Sequence, residues 1–200
     1  MLTEEQEKWV SHLSDKAEIK IFPYNPKTRE VFKKIKNKIK DFLGDIEVLH
    51  CGSTGLEILG QGEIDLYIPV LEKHFNNYLE KLVEHFGKPG SVYSLERVRF
   101  VKYIDGIKIE IFLINKENND WKNIVKFESC LKKNPEALEE YKNIKKESNG
   151  LTVQNYYRKK IEFINKILRD KKCQVVVRQP KRNESKRFLY NKRVGGYSEN

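Results

Sequence analysis

Two segments of the chain alternate between apolar and polar residues with a period of two, and this pattern constrains the fold most. In residues 63–70, Glu63 and Asp65 share one face, and isoleucine or leucine fills the other. In residues 107–114, Lys108, Glu110 and Phe112 share one face, and Ile107, Ile109 and Ile111 share the other. Because successive side chains of a strand point to opposite faces, each segment predicts a strand with one apolar face and one face that carries carboxylates.

The remaining segments predict several helices and three further strands. Thr3 and Gln6 predict a capped helix over residues 3–15, and Gly44 ends an amphipathic helix that begins at Thr28. A turn at Asp105-Gly106 predicts a hairpin. We also expect helices over 73–86, 135–148 and 152–168, and strands over 46–51, 98–104 and, late in the chain, 175–177. The prediction is an α/β (α+β) fold: a mixed sheet flanked by helices (1–118), a helical subdomain (119–170) and a basic tail (171–200).

Composition and spacing exclude several classes of protein. No apolar run is long enough to span a membrane, and the acidic start lacks the apolar core of a secretory signal. Cys51, Cys130 and Cys173 lie far apart without a CxxC pair. Their spacing argues against a disulfide scaffold and against a zinc site, and it is typical of a reducing compartment, so we expect a cytoplasmic location.

The positive charge is concentrated at the end of the chain. The net charge is +10, and residues 169–200 hold ten Lys/Arg against three Asp/Glu, which leaves +3 for the rest. Such a segment favours a polyanionic partner, because binding to phosphates releases counterions. The sequence therefore predicts that the tail binds RNA, with a solvated tail that contacts nothing as the equal alternative.

One group of residues has the composition of a site for phosphate and a metal ion. Gly52-Ser53 follows a predicted strand, in a turn whose backbone N–H groups are suited to phosphate. If the strands of Asp65 and Glu110 are neighbours, three carboxylates converge beside this turn. Two like charges about 4 Å apart repel by roughly 4 kcal/mol at an effective dielectric near 20. A divalent cation removes that repulsion, and oxygen ligands suit Mg²⁺ or Mn²⁺.

A purely structural interpretation of the same acids stays open. In it Glu63 lies at the solvated start of its strand, Asp65 caps a neighbouring group, and Glu110 pairs with a lysine. Arg97 and Arg99 are then edge-strand residues that favour solubility rather than phosphate ligands.

Together these motifs resemble a known superfamily. Gly52-Ser53, then about ten residues, then Glu63-Ile64-Asp65-Leu66, with Glu110 on a later strand, is similar to the nucleotidyltransferase superfamily (the DNA polymerase β-like fold). More specifically, the chain resembles the GrpB-like family within it. Residues 49–54, the helical stretch 127–145 and the last helix, 157–164, carry the resemblance, which covers about residues 18–168.

The sequence departs from the family pattern at three places. The loop after Thr54 lacks the proline and the Lys-Pro pair that are usual in the family. The usual Phe-Arg pair is Phe127-Glu128 here, so no arginine role transfers to that position. Glu63 stands where the family strand usually has an apolar residue, and Glu63-Ile64-Asp65 is similar to the metal pair of archaeal CCA-adding enzymes.

The resemblance implies a metal-dependent nucleotidyltransferase that moves a nucleotidyl group to an acceptor hydroxyl, either AMP from ATP or the corresponding nucleotide from another nucleoside triphosphate. Glu63, Asp65 and Glu110 are the expected catalytic residues and the ligands of Mg²⁺ or Mn²⁺. The expected triphosphate contacts are Gly52, Ser53, Thr54, Arg97, Arg99, Lys126 and Lys145. Two alternatives remain: a catalytically silent module of the same fold that binds nucleotide or RNA through its basic tail, and a scaffolding protein.

Overall fold

The computed structural model describes residues 1–170 and Cys173. The predicted late strand at 175–177 and most of the basic tail lie outside the described residues. Within them the helices are α1 (Glu4–Ser11), α2 (Lys27–Leu43), α3 (Gly52–Gly55), α4 (Phe75–Phe86), α5 (Asn119–Lys133), α6 (Pro135–Glu147) and α7 (Val153–Arg169). The strands are β1 (Leu49–Cys51), β2 (Ile64–Val70), β3 (Ser91–Tyr93), β4 (Arg97–Ile104) and β5 (Ile107–Asn115).

The five described strands form one mixed sheet in the order β1-β2-β5-β4-β3. Strands β2 and β5 are parallel neighbours, with Asp65 opposite Glu110, and the other pairs are antiparallel. The predicted hairpin is confirmed: Asp105 and Gly106 both have positive φ, as the tight turn between β4 and β5 requires. The predicted α+β architecture is therefore confirmed.

One face of the sheet carries the main hydrophobic core. Ile64 and Leu66 of β2, Phe100 of β4 and Ile111 of β5 are completely buried on this face. Helices α2 and α4 cover it with the apolar stripes that the sequence predicts. Burial of this face leaves the opposite face of the same strands free to carry polar groups.

The second half of the chain is helical, as predicted, and has its own apolar cluster. Tyr141 of α6 and Phe163 of α7 stack in this cluster with ring centroids 5.3 Å apart. Asn134 caps α6 by accepting from two backbone N–H groups, and Pro135 occupies the first turn. The division into domains at residue 118 stays a prediction.

Local details differ from the sequence-based expectations. The capping box of Thr3 and Gln6 is present, but α1 ends at Ser11 rather than near residue 15. Strand β1 begins only at Leu49, and the short edge strand β3 was not predicted. A three-residue strand carries too little alternation to show in a sequence.

The spacing of the cysteines did not predict the disulfide that the structure contains. Cys130 of α5 and Cys173, 43 residues apart in sequence, are joined by a disulfide with Cα atoms 5.0 Å apart. Cys51 is a buried free thiol. Among the described residues no helix combines the length and the apolar character that a membrane span needs.

Candidate functional site

The polar face of the sheet forms the floor of a cleft of about 420 Å³. Strands β2 and β5 present Asp65 and Glu110 to it, with Glu63 directly before β2, and helices α6 and α7 contribute Lys145 and Lys160. The cleft is thus lined by acidic groups on the sheet and by basic groups on the helices.

The three predicted carboxylates converge. Glu63, Asp65 and Glu110 each offer an oxygen that lies within 4.8 Å of the other two. The condition stated from the sequence, that the strands of Asp65 and Glu110 be neighbours, is met by the parallel pairing of β2 and β5. Parallel register places the two acids side by side on the same face.

A lysine neutralises part of this acidic cluster. The Lys108 ammonium lies 2.7 Å from the Glu63 carboxylate and 2.8 Å from that of Glu110, and Arg99 donates to Glu110 at 3.1 Å. Burial alone would lower the pKa of Lys108, but the hydrogen bonds to Glu110 and Glu63 hold that pKa above its ordinary value. The sequence places Lys108 on the face of Glu110 without revealing this bridge, and the expectation that Glu110 pairs with a lysine is met.

Asp65 is the acid most affected by its surroundings. The pKa of Asp65 is raised to about 7, chiefly by burial; Lys160 opposes the rise, and Glu63 and Glu110 contribute to it. Gly52, in the turn that follows β1, lies against Asp65. Its φ is +71°, and a Cβ at this position would overlap the Asp65 carboxylate. Only glycine permits this close approach of the turn to the acid.

The predicted phosphate turn already has an anionic partner. Glu128 of α5 accepts a hydrogen bond from the Gly52 N–H at 2.7 Å and is itself buried. Burial raises the pKa of Glu128, while the Gly52 N–H and Lys132 oppose that change. A phosphate that uses this N–H would have to displace the Glu128 carboxylate. The sequence shows Glu128 only as a departure from the family pattern.

The two hydroxyls after Gly52 have different positions. Ser53 lines the cleft. Thr54 is buried, and its hydroxyl donates to the Glu63 carbonyl oxygen at 2.9 Å and contacts His50 Nε2 at the same distance. Thr54 therefore holds the turn against the start of β2 instead of facing the cleft.

Of the predicted basic residues, some line the cleft and one does not. Arg97, Arg99 and Lys145 line the cleft, as does Lys160 of α7. Burial, together with the charge of Lys160, lowers the pKa of Lys145 to about 7. Lys126 lies elsewhere: its ammonium donates to the Leu168 carbonyl oxygen at 2.6 Å and so caps the end of α7. The structure does not bring Lys126 to the cleft, because helix α5 turns that side chain toward a neighbouring helix end.

Comparison with known proteins assigns the family. The model of the family described as GrpB protein matches residues 18–170. This chain belongs to the GrpB family. The predicted resemblance is thereby confirmed, and the matched segment includes the three carboxylates, the Gly52 turn and all of the helical half.

This GrpB-family chain is similar to several known proteins. The crystal structure of conserved protein GrpB from Enterococcus faecalis is similar at a TM-score of 0.58 and 21% identity, over 74% of this chain and 93% of that one. The UPF0157 protein of Vibrio cholerae is 22% identical over 147 residues, which are 72% of this chain and 78% of the relative. The Cid1 poly(U) polymerase, solved with Mg and 3′-dATP bound, gives a TM-score of 0.35 at 14% identity. The match covers 64% of this chain and 45% of that one.

The donor set of the GrpB-family cleft fits a hard divalent cation. Its ligand atoms are carboxylate oxygens, which Mg²⁺ and Mn²⁺ prefer, and they lie close enough to share one ion. The Lys108 ammonium contacts two of the three acids, so a cation that binds Glu63 and Glu110 competes with this lysine.

Proposed function

We propose that this GrpB-family protein is a metal-dependent nucleotidyltransferase, which moves a nucleotidyl group, AMP from ATP, to an acceptor hydroxyl. The observation that carries the proposal is the convergence of Glu63, Asp65 and Glu110 to within 4.8 Å at the floor of a cleft. The fold and the acid motif that resembles the nucleotidyltransferase superfamily support it.

The side chains of the cleft divide the work. Glu63, Asp65 and Glu110 would hold Mg²⁺ or Mn²⁺, which when bound offsets charge on the phosphates and makes the transferred phosphorus more electrophilic. Arg97, which makes no ion pair within the described part of the chain, presents its guanidinium to the cleft beside the Tyr93 ring.

The helical wall adds two ammonium groups to the proposed triphosphate site. Lys145 donates a hydrogen bond to the Tyr156 hydroxyl at 3.2 Å, which fixes the position of its ammonium. Lys160 keeps its charge: burial lowers its pKa, but the neighbouring tyrosines and Asp65 raise it well above the ordinary value. We propose that both contact the phosphates of the nucleotide.

A second candidate function has its own support. The Lys108 bridge offsets part of the charge of Glu63 and Glu110 without a metal, and the Glu128 carboxylate accepts the hydrogen bond of the Gly52 N–H. These contacts favour a module that binds nucleotide, or RNA through the tail 169–200, and catalyses nothing. RNA binding and a cytoplasmic location stay predictions, since most of the tail lies outside the described residues.

Pyrophosphate release tests the transferase proposal without knowledge of the acceptor, because each transfer of AMP from ATP releases one pyrophosphate. The assay supplies Mg²⁺, ATP and either total RNA or glycerol as a source of hydroxyls, and compares the wild type with Asp65→Asn. Glu47→Gln, an exposed acid outside the cleft, is the matched control.

We expect release by the wild type and by Glu47→Gln, and none by Asp65→Asn. Equal release by Asp65→Asn would contradict the proposal. Isothermal titration with a non-hydrolysable ATP analogue and Mg²⁺ separates the two candidates: tight binding without any pyrophosphate release would favour the silent module.

A further inference from the structure

We propose that Trp9, on a helix outside the GrpB family segment, stacks on the nucleobase of the nucleotide and so completes the cleft. The inference rests on the proposed nucleotide site and adds to it the part of the ligand that the charged residues do not contact. Trp9 lines the same cleft as Asp65 and Lys160.

The position of Trp9 is fixed because α1 is anchored on α7. Val10 is completely buried, and Glu7 pairs with Arg158 at 3.0 Å. Gln6 and Asn165 exchange side-chain hydrogen bonds at 3.2 and 2.8 Å. The family match begins only at residue 18, so α1 is an addition to the family segment that is tied to the helical wall of the cleft.

Trp9 is held by an aromatic neighbour and remains partly exposed at the cleft. Its ring meets Tyr157 edge to face, with centroids 5.5 Å apart and planes at 83°, yet 45% of the residue remains exposed. An exposed indole in a cleft otherwise rich in charge gains free energy when a planar ring covers it. The Tyr157 contact holds the indole in place while nearly half of the residue remains exposed.

Charged and aromatic groups adjoin on this wall. The Lys160 ammonium lies 5.3 Å from the centroid of the Tyr157 ring, which in turn contacts Trp9. The carboxylates and Arg97 line the same cleft. A ligand that satisfies both parts has a polyanionic end and a planar ring, and a nucleoside triphosphate has both. Stacking tolerates any base, since every base presents a π face.

The test separates base recognition from phosphate recognition. Dissociation constants of a non-hydrolysable ATP analogue and of inorganic tripolyphosphate, each with Mg²⁺, are measured by isothermal titration for the wild type, Trp9→Ala and Trp9→Phe. Tyr103→Ala is the matched control, because Tyr103 is 69% exposed on β4 and does not line the cleft. Far-UV circular dichroism checks that α1 remains folded.

Trp9→Ala is expected to weaken binding of the ATP analogue roughly tenfold or more, the range of base–aromatic stacking, with Trp9→Phe intermediate. Tripolyphosphate binding and the Tyr103→Ala control should stay within about twofold of the wild type. Unchanged binding of the analogue by Trp9→Ala, or an equal loss for both ligands, would overturn the stacking role while leaving the nucleotide site intact. Failure of the wild type to bind either ligand would overturn the proposed function as well.

Discussion

The two faces of the sheet are made by the same strands but have different roles: one packs in the hydrophobic core, and the other lines the acidic cleft. On the core face, Leu66, Phe100 and Ile111 are fully buried beneath α2 and α4. On the cleft face, one residue away along β2 and β5, Asp65 and Glu110 converge with counterions. The alternation of a strand thus lets one short segment stabilise the fold and hold the site, so changes at the two faces should have separable effects.

The largest separation is expected between adjacent residues of β5. Ile111→Ala should lower the free energy of unfolding by about 2–5 kcal/mol, because it leaves a cavity in the core. Glu110→Gln should change it by less than about 1 kcal/mol, since the amide keeps an acceptor for Arg99 and Lys108 and repulsion among the acids falls. Urea denaturation of both variants measures the difference, and equal losses would contradict the division between faces.

Removal of the Lys108 ammonium should make stability depend on metal. In Lys108→Met the three acids lose a counterion, and metal-free stability should fall by about 1–2 kcal/mol, the side chain being one-third exposed. Mn²⁺ at about one hundred times its dissociation constant should then stabilise the variant by about 2.7 kcal/mol. Thermal melts with EDTA measure the loss of metal-free stability, and melts with Mn²⁺ measure the stabilisation by the metal. Lys34→Met, which removes an exposed pair with Asp105, is the control and should show no gain beyond that of the wild type.

The hydrogen bond between Gly52 and Glu128 of the helical half should have an effect of similar size. Glu128→Ala leaves the Gly52 N–H without its carboxylate acceptor and should cost about 1–3 kcal/mol of unfolding free energy. Glu128→Gln retains an acceptor and should lose clearly less. If the two variants melt at the same temperature, the Gly52 hydrogen bond contributes nothing to stability.

A further effect, which depends on pH, concerns His50 on the core face. Burial, with the charge of Lys132 adding to it, lowers the pKa of His50 to about 4, and its ring stacks on Phe32. The unfolded chain, with the ordinary histidine pKa of about 6.5, binds the proton more readily, so stability is complete above pH 6.5 and falls as the pH drops toward 4. Since His50 is partly exposed, the loss should be about 1–2 kcal/mol. Stability of the wild type and His50→Gln between pH 7 and 4 checks this: the curves should converge at low pH, and parallel curves would contradict it.

Much of the sheet and of the acidic cluster could be predicted from the sequence, because alternation is a local property. Residues 63–70 and 107–114 each show which side chains share a face, and the Asp105-Gly106 turn shows where the hairpin closes. The parallel pairing of Asp65 with Glu110 needed one further condition, adjacency of their strands, which the structure meets.

The contacts that were missed join distant parts of the chain. Glu128 is 76 residues from Gly52, and Trp9 reaches the cleft only because α1 packs on α7. Neither contact leaves a periodic signal. Lys108 was visible on the correct face, but its bridge to Glu63 depends on the cross-strand register and on the side-chain conformation. Lys126 was misplaced for the same reason, since a lysine-rich helix does not show which ammonium faces the cleft.

The central claim is that the carboxylates of the cleft face hold a divalent cation together with a nucleotide. Electron paramagnetic resonance of Mn²⁺ tests this most directly, because bound Mn²⁺ loses the signal of the free ion. The titration is made with and without a non-hydrolysable ATP analogue, on the wild type and on Asp65→Asn. We expect the wild type to bind Mn²⁺ together with the analogue and Asp65→Asn not to bind it. Equal uptake of Mn²⁺ by the two proteins would contradict the central claim.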